Sequence, residues 1–109
     1  MNVVEEVMTM PLSSVAKLNL LQIEVDHASR KMAIYRKIVE EERATIGRLR
    51  QIRARVARYC TIRRQVYARL EQEIDECAAR VALCREAIIV ASGVVKRCKD
   101  EIESHLRDG

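Results

Sequence analysis

Residues 74–105 read IDECAARVALCREAIIVASGVVKRCKDEIESH, and the intervals between their apolar members decide the fold. Ile74, Cys77, Val81, Cys84, Ile88, Ala91, Val95, Cys98, Ile102 and His105 follow one another at alternating steps of three and four. At 3.6 residues per turn such a series stays on one side of a helix, whereas a half-buried strand would alternate strictly. The stretch is a helical seam built to pack against a neighbour.

A matching series lies upstream. Leu18, Leu21, Val25, Ala28, Met32, Tyr35, Val39, Glu42, Ile46 and Leu49 keep the same rhythm, with Glu42 the single charged member. Between the two seams Val56, Tyr59, Val66 and Leu70, with Arg63 in the gap, continue the pattern more weakly. One Pro, three Gly and no Phe or Trp, against 33% charged residues, describe long amphipathic helices with thin aliphatic seams. The punctuation that strands need is absent.

One helix of this length would bury its seam only against another chain, so the breakers matter. Gly47 is the strong break signal of the first half and Ala91-Ser92-Gly93 the other. Reversals are therefore expected within 47–60 and near 91–93. The expected fold is an all-α, antiparallel three-helix bundle or coiled coil of two long helices and a shorter third. The seam keeps its phase across 91–93, so a two-helix hairpin is the alternative. At 109 residues the chain is expected to be a single helical domain. Residues 1–12 read as a loose N-terminal tail around Pro11, with Ser13 and Ser14 as candidate N-caps. Monomer and homodimer both satisfy the seams.

No run of about 18 apolar residues exists to span a membrane. The opening MNVVEEVMTMP carries two Glu and no basic residue, unlike a secretory or transit segment, so a cytosolic or nuclear protein is expected. Cys77, Cys84 and Cys98 occupy the seam seven or fourteen residues apart, too far for one ion. They read as small core residues in a reducing compartment, and Cys60 as partly exposed. His27 and His105 read as helix-surface side chains, and the carboxylate runs as solvated faces. No phosphate-binding loop is present. The expectation is no enzyme: no catalytic residues, no metal, no cofactor and no small-molecule substrate.

Charge is concentrated in the middle. Residues 43–70 hold nine Arg and no acidic residue, whereas 1–42 carry five basic against seven acidic residues and 71–109 six against nine. Nucleic acid is the first thought, yet only Tyr59 and Tyr67 could stack on bases, and no helix-turn-helix, zinc-finger or basic-zipper layout is visible. Solvation of the helices, with local pairing to acids, is the plainest account of so many arginines. An acidic protein surface is the stronger functional one, because guanidinium forks grip carboxylates bidentately. On a helical wheel Arg50, Arg53, Arg58, Arg64 and Arg69 lie away from the apolar side and are the candidate partner-binding residues. Arg48, Arg55 and Arg63 lean toward it.

Two stretches carry a family resemblance. Leu21-Gln22-Ile23-Glu24-Val25, followed by Arg30-Lys31-Met32, is one. Tyr59, then Ile62-Arg63-Arg64-Gln65, with Glu76-Cys77 and Arg80 beyond, is the other. Together, over residues 21–83, they resemble the tubulin-binding cofactor A (tubulin-specific chaperone A) family. The resemblance implies a three-helix bundle in the cytoplasm, associated with the cytoskeleton, that binds free β-tubulin during tubulin folding and heterodimer assembly. Asp75 stands where that family has Pro, and no clear loop precedes a third helix. The segment Thr61-Ile62-Arg63-Arg64-Gln65-Val66 also resembles flagellar and type III secretion stalk proteins, two-helix hairpins that insert into a ring ATPase. A basic helical nucleic-acid-binding protein is the remaining alternative.

Overall fold

A computed structural model of the chain describes residues 3–58 and 64–108. Three helices account for nearly all of them: α1 (Val3–Thr9), α2 (Ser14–Arg58) and α3 (Arg64–Asp108). No strand occurs among the described residues. The chain is all-α, with two long helices and a short one.

The short helix is not where the breakers put it. α3 runs 45 residues straight through Ala91-Ser92-Gly93, and α2 runs 45 residues past Gly47. Neither glycine takes a positive φ. A glycine inside a helix costs about 1 kcal/mol relative to Ala, which a packed seam on both sides outweighs. No reversal occurs from Gly47 to Arg58, and the rest of the expected 47–60 range, with Tyr59 and Cys60, lies outside the described residues, as does Arg63. The third helix comes first in the chain instead. Residues 1–12, expected as a loose tail, contain α1, and Val7 on it is 5% exposed.

Seven residues cannot hold a helix in water alone. α1 is held by its neighbours. Glu5 and Glu6 favour the positive end of its dipole, and the Lys17 ammonium donates to the Met8 carbonyl at the other end, 3.1 Å away. Burying Val7 contributes roughly 1.5–3 kcal/mol. After Pro11, Ser13 caps α2: its Oγ accepts from the Ala16 N–H at 3.2 Å and its carbonyl from the Lys17 N–H at 3.0 Å.

The helices group into two compact units where the length suggests a single domain. Unit 1 comprises Met1–Ile34 with Ala87–Gly109, and unit 2 comprises Tyr35–Glu86. In unit 1, early α2 meets late α3 and α1 joins them. Leu21, Val25, Val7 and Cys98 form its buried cluster, with Val94, Val95 and Ile102 packed against it. Leu21 and Cys98 are wholly enclosed. In unit 2, Glu42 meets Arg80 and Arg53 meets Glu71, so the two helix segments run antiparallel. Its buried residues are Val39, Ile74, Cys77 and Val81.

Every one of the twenty seam positions named from the sequence is buried or half-buried. Cys77 and Cys98 are core thiols, and burial pushes both thiol pKa values up. Cys84 is only half-buried. His105, expected on the surface, is half-buried on the seam, with Nε2 3.4 Å from the Met8 sulfur and 3.8 Å from Glu101. His27 is exposed, as read.

Candidate functional site

The arginine block falls wholly within unit 2, and its described side chains divide by what they touch. Arg53 is half-buried and pairs with Glu71 across the helices at 3.7 Å. It faces the neighbouring helix, where the wheel had placed it outward. Arg48 and Arg55, read as leaning toward the apolar side, are exposed. Arg69 is 82% exposed and sits 3.7 Å from Glu73 on its own helix. Arg64 is exposed at the first position of α3, where the helix dipole gives a cation no support. Arg58 is the last residue of α2, where a cation suits the dipole, and its side chain lies outside the described residues.

Of the five predicted contact residues, Arg50 lines a groove built by both helices. On α2, Arg43, Ile46, Gly47 and Arg50 follow the i, i+3, i+4, i+7 spacing that makes one stripe. Ala78, Val81, Ala82 and Arg85 repeat that spacing on α3. The two stripes face each other across a groove of about 450 Å³. Its middle is lined by small and aliphatic residues, and an added Cβ at Gly47 would meet nothing within 4 Å. Arg43, Arg50 and Arg85 are exposed, and none forms an ion pair with any of the described residues. No acidic side chain lines the groove.

Arg85 was missed in the sequence because it lies outside the arginine block, in a net acidic third of the chain. Its signal was its place in the stripe Ala78, Val81, Ala82, Arg85, which carries meaning only once the opposite stripe is known. A larger hollow, about 580 Å³, lies along α3 at Gln65, Arg69, Gln72, Glu73 and Glu76. Two carboxylates make that surface a poor host for an anionic partner.

The charged member of the first seam has its own explanation. Glu42 Oε1 accepts from Arg80 Nε at 2.9 Å and Oε2 from Arg80 Nη2 at 3.3 Å, a two-pronged pair across the helices. The same Nη2 lies 3.2 Å from the buried Cys77 sulfur. Arg80, followed by Cys77, holds the Glu42 carboxyl below its usual range. Desolvation, followed by the Glu42 carboxylate, pushes the Cys77 thiol upward, so it stays neutral and unreactive. A slip of register between the two helix segments would leave Glu42 in the seam without this partner.

No cluster of three or more His, Cys, Asp or Glu side chains that could hold a metal ion occurs among the described residues. No helix among them is long and apolar enough to cross a membrane. Comparison with known proteins adds no kinship: no family model, no curated protein and no solved structure matches the chain.

Proposed function

We propose that this chain is a non-enzymatic cytoplasmic binding protein whose arginine-bearing helices hold an acidic protein surface, with free β-tubulin as the partner. The observation that carries the reading is the set of exposed guanidiniums of Arg43, Arg50 and Arg85, without an ion-pair partner among the described residues, set around aliphatic surface in unit 2. Arginines that merely solvated the helices would be spread among carboxylates, as Arg69 is beside Glu73. Tubulin is named by the resemblance at residues 21–83, and its acidic surface suits these cations. The helix order departs from what that resemblance implies, because the short helix comes first and α3 is unbroken.

The test is capture of isolated β-tubulin by the purified chain at about 150 mM salt. Arg50→Glu with Arg64→Glu should abolish capture and leave helicity unchanged. Glu40→Lys with Glu41→Lys, on an exposed acidic face, should change little. Equal capture by all three proteins would reduce the arginines to a solvated surface. No capture by the parent would remove tubulin.

A second reading has one observation in its favour. Two unbroken helices of 45 residues each suit a stalk-type hairpin better than a bundle with two long helices and a late short one. Stimulation of a ring ATPase by the chain, with no capture of β-tubulin, would select it.

A further inference from the structure

We infer that the unit 2 groove between Arg43–Arg50 and Ala78–Arg85 receives an amphipathic, acidic helix of the partner protein. The inference rests on the reading that the partner presents an acidic surface, and it names the element that docks.

The walls are helices, which have no free backbone hydrogen bonds to offer an extended strand. An occupant has to bring its own satisfied backbone, and a helix does. Each wall runs from i to i+7, two turns or about 10 Å, the scale on which one helix seats a ridge of side chains in another's groove. Gly47, Ala78 and Ala82 keep the middle shallow-sided, so a third helix can approach closely. Ile46 is half-buried and Val81 buried beneath them, giving an apolar floor.

Charge then selects the occupant's flanks. Arg43 and Arg50 stand two turns apart on one wall and Arg85 stands on the other, with no carboxylate among the lining residues to neutralise them. An aliphatic ridge flanked by Glu or Asp satisfies floor and rim together. A nucleic-acid backbone would satisfy the rim alone, and no aromatic side chain lines the groove to stack a base.

The probe is a fluorescein-labelled peptide of about 18 residues, long enough to hold a helix. It carries Leu at i, i+3, i+4 and i+7 with Glu on either side. Its controls are a scrambled peptide of the same composition, a version with Lys for Glu, and a single-stranded oligonucleotide of equal charge. The full chain should bind the first peptide, with the controls about tenfold weaker or worse. Gly47→Leu, which fills the groove where nothing stands within 4 Å, should weaken binding about tenfold while helicity holds or rises. Arg50→Glu with Arg85→Glu should do at least as much by charge reversal.

Failure of the parent to bind the peptide overturns the inference. So does equal binding of the scrambled peptide or a Gly47→Leu protein that binds like the parent. Tighter binding of the oligonucleotide than of the peptide also overturns it. Capture of β-tubulin that Gly47→Leu leaves untouched would reject the groove and spare the arginine surface. Peptide binding without tubulin capture would reject tubulin and keep the groove.

Discussion

The two units use the same pair of helices to opposite ends. In unit 1 a third helix, α1, adds Val3, Val4 and Val7 to the seam, and Leu21 and Cys98 become wholly enclosed. In unit 2 two helices, α2 and α3, meet among the described residues. None of those residues is wholly enclosed, an ion pair sits in the seam, and an open groove runs beside it. Two helices present each other with one stripe apiece, so their flanks stay wet unless a third element covers them. Unit 1 is covered from within the chain. Unit 2 is left with a flank that a partner can cover, and its arginines state what chemistry that partner needs.

The sharpest way to break this contrast is at the enclosed core. Leu21→Ala should cost about 2–5 kcal/mol, because a fully buried leucine leaves a cavity that three packed helices cannot close. Chemical denaturation reads it directly. A loss no larger than that of an exposed substitution would mean that α1 does not build a core.

Arg80→Ala comes next and probes unit 2. It leaves Glu42 in the seam without its two-pronged partner. The melting temperature at neutral pH should fall, by less than for Leu21→Ala. The sign with pH is set by the carboxyl. Its folded pKa lies below 4.5, so the pair's stabilisation is full above 4.5 and fades as pH drops through the lowered folded value. Melting curves of parent and variant should therefore converge in acid. A difference that persists at the lowest pH would show that Arg80 acts through packing alone.

Gly47→Ala sharpens the contrast with a smaller, opposite effect. It should stabilise by about 0.5–1 kcal/mol, since a helical glycine gives up more backbone freedom than alanine and the space beside it is open. Gly93→Ala, in unit 1, would place its Cβ 3.6 Å from Arg97 Nη2, an ordinary contact, and should gain a similar amount. Destabilisation at either site would mean that the helix breaks there after all.

Arg69→Ala should do least, less than about 0.5 kcal/mol by thermal melting. The side chain is 82% exposed, and its pairing with Glu73 runs in the weaker order for a helix, cation before anion. A larger loss would place Arg69 in the structural frame of unit 2.

All ten positions of each seam are covered in the structure because heptad spacing is a local property: it records which side of a helix must leave water. The N-cap was legible as Ser13 or Ser14 for the same reason, a hydroxyl one turn before the helix, and the structure selects Ser13. Helix ends were harder. Gly47 and Gly93 look like breaks in isolation, and what overrides them is packing of seam residues on either side, which local propensity does not contain. α1 was invisible because seven residues have no periodicity to speak of, and Val3, Val4 and Val7 become a face only when Leu21 and Cys98 are there to receive it. The arginine block was plain, but its division was not. A helical wheel put Arg53 outside, whereas Glu71 on the opposite helix draws it inward. Arg85 carried no signal until the stripe of Arg43 and Arg50 stood across from it. The amino-acid sequence by itself determined that the chain is helical and which side of each long helix is dry, since both follow from neighbours within two turns. Only the tertiary structure decided where the short helix packs, which charges are matched and which flank stays open, because each depends on groups far apart in the chain that meet across a few ångströms.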